Sequence, residues 1–184
     1  MPTYQQLPHI IAFLLLLARL GDVGSTYLIS PTLKLEANPI VRRLRWSFAG
    51  FTVLAAAIPY YSLPTGVAVL VVSLLVCASN CSRVWLVRTM GESEYHLLII
   101  GIARRAPLAL SLLFCLLSPL CMATIGGVLL LFYPSPRHDW AAWFAIGFIL
   151  YAMVVGLYGS LAFLRYRKEG NAVAHSLDAR NSGS

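Results

Sequence analysis

The chain has 184 residues, of which 59% are hydrophobic and only 11% charged, and its net charge is +7. A soluble domain carries roughly 25% charged residues, so this composition excludes an ordinary water-exposed globular domain. It also argues against nucleic-acid binding, because no soluble domain carries the basic charge. Cys77, Cys81, Cys115 and Cys121 lie in apolar stretches, where thiols act as small hydrophobes rather than as a disulfide framework.

A membrane-spanning helix needs about 20 apolar residues. The first expected span covers residues 7–29. The leader before it has no Lys or Arg and the apolar run is too long for a cleaved signal. The second covers 46–63, followed by a tight turn at Pro64-Thr65-Gly66. The third covers 66–87. A long apolar stretch is divided by Arg104, Arg105 and Pro107 into an interfacial helix at 94–106 and a fourth span at 107–133. Pro107 suits a first helical turn, and Pro119 is expected to kink the span. Glu92 and Glu94 suit the N-terminus of the interfacial helix, or neutralise Arg88. The fifth span covers 140–164, and 165–184 reads as a loose, polar, cytoplasmic tail. The fold class is all-α: a polytopic transmembrane helix bundle of five spans plus a short interfacial helix, forming one domain over 1–164.

The charges orient this arrangement. With five spans, one side receives Lys34, Arg42, Arg43, Arg45, Arg83, Arg88, Arg104, Arg105, Arg165, Arg167, Lys168 and Arg180. The other receives Arg137 alone, while Arg19 lies within the first span. The positive-inside rule then puts the N-terminus outside and the C-terminus in the cytoplasm. The basic collar would meet the bilayer's anionic lipid headgroups. Small residues at Ala152, Gly156 and Ser160, and at Ala123 and Gly127, allow close helix approach. They serve either packing within the chain or contact with a partner membrane protein or a second copy.

Polar residues inside the spans carry the functional information. Asp22 lies about 10 Å below the end of the first span at 1.5 Å per residue. A charge near a helix centre costs about 2.5–3.5 kcal/mol to insert. Arg19 and Thr26, three and four residues away, share its face, so Arg19 and Asp22 form a candidate ion pair. The pair is either a structural tie or part of a site, since intramembrane ionisable residues are functional candidates. Glu36-Ala-Asn38-Pro39 follows in a short link that would dip back toward Asp22. Asn38 also reads as an ordinary N-cap with Pro39 after it. Asn80 shares a face of the third span with Cys77 and Arg83, and would meet Asp22 or Glu36 if those spans are neighbours. Asp22, Thr26, Glu36, Asn38 and Asn80 form a candidate polar or cation site. Its oxygens would suit a hard divalent ion such as Mg²⁺ or Ca²⁺. Arg42, Arg43 and Arg45 are candidate contacts for an anionic headgroup. No zinc-binding histidine spacing and no nucleophile motif is present, so enzymatic activity is left open.

The run Leu20-Gly-Asp22-Val-Gly-Ser25-Thr26, followed after ten residues by Glu36-Ala-Asn38-Pro39, resembles the signature of a small prokaryotic membrane-protein family of unknown function. The resemblance covers about residues 10–85, with Asn80 similar to a further asparagine of that pattern. It implies a compact three-helix unit, a shared polar site and a bacterial inner membrane, and no reaction. Three functions fit the pattern: a membrane scaffold or accessory subunit, a small transporter or channel component using Asp22, and a metal-dependent membrane enzyme acting on a lipid-type substrate.

Overall fold

The computed structural model describes residues 5–133 and 140–181, and these form helices and connecting turns with no strand among them. Arg137, the first four residues and the last three lie outside the described residues. Helix α1 spans Leu7–Ile29 with Pro8 in its first turn, where the missing N–H costs nothing. An irregular link over 30–38 leads to α2 (Pro39–Leu44), capped by Asn38, whose Oδ1 accepts from the Ile40 amide at 2.9 Å. Asn supplies the cap oxygen and Pro39 a preset φ. Leu33 and Arg45 are the non-glycine residues with positive φ among those described, at 59° and 53°.

Helix α3 (Ser47–Leu54) passes through a 3₁₀ turn at Ala55–Ala57 into α4 (Ile58–Tyr61). Pro59 accounts for the break: it lacks a donor for the preceding turn and its ring crowds that turn. The 47–61 segment runs back alongside α1. At one end the Trp46 indole donates to the Pro31 carbonyl at 3.1 Å, and at the other His9 and the Tyr60 hydroxyl meet at 3.1 Å.

Helix α5 spans Leu63–Met90 and begins at Ser62, whose Oγ accepts weakly from the Thr65 amide at 3.4 Å. The chain therefore reverses at Ser62; Pro64, Thr65 and Gly66 are already helical, contrary to the expected turn there. Pro64 is tolerated because it lies in the first turn. Gly91, with φ of 86°, separates α5 from α6 (Glu92–Arg105), a conformation that favours glycine. Helices α7 (Leu108–Phe132) and α8 (Trp140–Asn181) follow. By length and composition, α1, α5, α7 and the Trp140–His175 part of α8 are able to cross a membrane, whereas the interrupted 47–61 segment is shorter. This is the build of an integral, multi-pass membrane protein.

Beyond Arg165 the chain is helical, with α8 running unbroken to Asn181. Packing supports this extension as far as Gly170. Ala162 and Tyr166 bury against Ala103 of α6, and Gly170 lies against Ile100 and Arg104. Elsewhere α8 packs on both α7 and α5. A Cβ on Gly126 would meet the Ala145 carbonyl oxygen at 2.7 Å, and one on Gly147 would meet Val71 at 2.7 Å. Of the two uses open to the small-residue face, packing within the chain is present in the structure. Ala152 and Gly156 are buried, Gly156 faces Leu116 and Pro119 of α7, and Ser160 is largely covered. On α7 the packed glycine is Gly126; a Cβ at Gly127 would meet nothing within 4 Å.

Candidate functional site

The 30–38 link forms one wall of the site, and its backbone is held from both sides. Glu92, at the start of α6, accepts from the Thr32 hydroxyl at 2.8 Å, the Thr32 amide at 3.2 Å and the Lys34 amide at 3.3 Å. The buried Ser30 hydroxyl also donates to Glu92. The carbonyls point the other way. Arg165 of α8 donates to those of Glu36 and Lys34, each at 3.1 Å, and the Tyr166 hydroxyl donates to that of Leu35 at 3.2 Å. A carboxylate thus collects the amides and a guanidinium the carbonyls, which meets the demand that non-helical backbone at a membrane border be satisfied by protein. Burial alone would push the Glu92 carboxyl up; the donors from Ser30, Thr32 and Lys34 together outweigh it and hold it below the ordinary glutamate range.

Between this link, α1, α3, α5 and α8 lies a cavity of about 470 Å³, within the roughly 300–1,000 Å³ usual for ligand sites. Asp22 and Thr26 of α1, Glu36 and Asn38 of the link, and Asn80 of α5 all line it, as does Arg19. The rest of the wall is mainly apolar, with Leu33, Phe48, Val72, Val76 and Val155 contributing.

Arg19 Nη1 lies 3.6 Å from Asp22 Oδ2, an i,i+3 ion pair with both side chains under a fifth exposed. At that distance it is an electrostatic contact rather than a hydrogen bond, and Arg19 Nε is buried with no hydrogen-bond partner. Asn80 Nδ2 donates to Thr26 Oγ1 at 3.1 Å, tying α5 to α1. Glu36 Oε1 accepts from the Asn38 amide at 2.8 Å. Arg45 lines the cavity mouth, whereas Arg42 and Arg43 are exposed and do not line it.

Several of the oxygens expected to suit a divalent cation already have partners. Asn38 Oδ1 and Glu36 Oε1 are already used within the link, and Asp22 faces a guanidinium. Among the described residues no group of three or more His, Cys, Asp or Glu could hold a metal ion. A hard cation needs six or more oxygens.

A second cavity of about 350 Å³ lies on the far side of the same wall. It shares Thr26, Glu36, Asn80, Arg83 and Gly159 with the first, and adds Tyr95, Ile99, Cys115 and Phe163 from α6, α7 and α8. Nothing in the sequence around Glu92 and Arg165 marks them as organisers of the link. The available signals were an acid beginning one helix and a cation at an expected span end, both of which have ordinary local explanations. Comparison of the chain with known protein families, with curated proteins and with solved structures found no match.

Proposed function

We propose that the protein is a five-span membrane protein, with its N-terminus outside and its C-terminus in the cytoplasm, that binds the polar end of an amphipathic, lipid-type molecule. The observation that carries this reading is that Asp22, Thr26, Glu36, Asn38 and Asn80 all border one cavity with a largely apolar wall. A purely structural clasp would close polar groups on one another and leave no such space. The Asn80 bonds to Thr26 and Ser25 behave as a clasp of that kind between α5 and α1. The membrane orientation is supported by the twelve cations on the inferred cytoplasmic side, and the fifth crossing by the Trp46–Pro31 and His9–Tyr60 contacts at opposite ends of α1. The resemblance of the 20–39 run to a prokaryotic family supports a bacterial inner membrane.

Two experiments test the reading. Native mass spectrometry of the full chain in mild detergent is expected to show a co-purifying lipid-type mass that Ala49→Phe displaces, since Ala49 lines the cavity. No bound amphiphile in either protein would reject the binding role. For topology, cysteine at Tyr61, which is 91% exposed, is introduced with the four native cysteines replaced. It is expected to react with an impermeant reagent from outside, and Arg43→Cys, exposed on the other flank of the 47–61 segment, from inside. Labelling of both from one side would remove the crossing by 47–61.

A further inference from the structure

The two cavities meet at one polar wall, and the groups on that wall are incompletely partnered. Arg83 borders both cavities and makes no ion pair among the described residues. Glu36 borders both as well; one of its oxygens takes the Asn38 amide, and the other accepts no hydrogen bond among the described residues. Gly159 sits on the same wall, and a Cβ there would meet nothing within 4 Å, so the space at this junction is open. Beyond the wall each cavity turns apolar, toward Val72 and Val155 in the first and toward Ile99 and Phe163 in the second.

Resting on the amphiphile-binding role, we infer that the two cavities are lobes of one site for a two-chain phospholipid whose headgroup carries an ammonium. The phosphate lies against Arg83, the ammonium against the free oxygen of Glu36, and one chain enters each lobe. The charges favour this occupant. A purely anionic headgroup would face Glu36 without a partner, and a simple cation would face Arg83, so a headgroup with both signs satisfies the wall. The volumes favour two chains, because a one-chain molecule would leave one apolar lobe without its hydrophobic contact.

The test is a titration of the delipidated full chain, followed by native mass spectrometry. Four probes are used: phosphatidylethanolamine, its one-chain lyso form, phosphatidylglycerol with the same chains, and water-soluble glycerophosphoethanolamine. The two-chain ethanolamine lipid is expected to bind at least about tenfold tighter than its one-chain form, as a second buried chain demands. It should lead phosphatidylglycerol by about tenfold, the scale of one charge-assisted contact, and the soluble headgroup should not bind. Equal binding of the one-chain form would overturn the two-lobe site while leaving the amphiphile role intact. Equal binding of phosphatidylglycerol would overturn the headgroup assignment, and tight binding of glycerophosphoethanolamine would mean a soluble phosphate ligand. No binding of any amphiphile would sink both this inference and the role beneath it. Ala49→Leu narrows only the first lobe and Cys115→Leu only the second. Each is expected to abolish the two-chain advantage and keep one-chain binding. Gly159→Leu enters open space, so it retains the fold and should lose the two-chain advantage; unchanged preference there would count against a joined site.

Discussion

The α7–α8 pair and the α1–α5 pair are both long helices packed side by side, yet α7 reaches a cavity at Cys115, whereas α1 and α5 border both cavities at Thr26 and Asn80. On α7 only Pro119 and Gly126 are buried, and most of its leucines and both phenylalanines are exposed. Its hold on α8 comes from backbone closeness at Gly126 and from Gly156 against Leu116 and Pro119. In lipid, where apolar side chains have no preference between tails and neighbours, such closeness is the main attraction. The α1–α5 pair also approaches closely at one point, with a Cβ on Gly21 meeting Cys77 Sγ at 3.1 Å. Toward Asn80 the two helices are tied instead by hydrogen bonds from the Asn80 amide to Thr26 and Ser25, beside the clamped link. The contrast teaches that glycine contacts close space between helices, whereas a polar link held by distant side chains keeps space open at their ends.

The contrast is broken most severely at the close approach. Gly126→Leu forces a side chain into the Ala145 backbone and is expected to cost about 3 kcal/mol or more, read as a large drop in unfolding midpoint in detergent. Gly127→Leu, one residue away and facing open space, is expected to stay within about 0.5 kcal/mol. If both behave alike, the α7–α8 contact is misassigned. Removing a clamp comes next. Arg165→Met leaves the Lys34 and Glu36 carbonyls unpaired, at about 1–3 kcal/mol, and amide exchange over 30–38 should accelerate while α7 is unaffected.

The opposite clamp adds a pH signature. Glu92 is held below the ordinary glutamate range, so its bonds contribute fully above about pH 4.3 and are lost as pH falls through the lowered folded value. The unfolding midpoint of the wild type should therefore fall on the acid side, and Glu92→Gln should flatten that limb. Identical acid limbs would show that the carboxylate does not hold the link. The smallest effect belongs to Asn80→Ala, at about 0.6 kcal/mol for one interhelical hydrogen bond, measured by the same unfolding assay.

Leu33 shows why the link needs its clamps. Its φ of 59° is unfavourable for a bulky side chain, and such a conformation persists where the surroundings hold it. Here the side chain is buried to 6% exposure, and the backbone on either side is tied to α6 and α8. None of this is readable nearby in sequence. Thr32 and Glu92 are 60 residues apart, and Glu36 and Arg165 are 129 apart. The reversal at Ser62 and the helix past Arg165 differ from the sequence expectation for separate reasons. The first depends on Ser62 capping α5 with Pro64 in its first turn, the second on α6 lying against α8.

The sequence by itself determined the long apolar helices, because run length against bilayer thickness is a local property. It also determined that Asp22 and Thr26 share a face, through helical period, and that Asn38 caps α2, through side-chain reach. Only the tertiary structure decided that these groups border a cavity with Glu36 and Asn80, and that Glu92 and Arg165 hold its wall. Apolar periodicity says which residues leave water; it does not say which distant hydrogen-bond partners the polar ones find there.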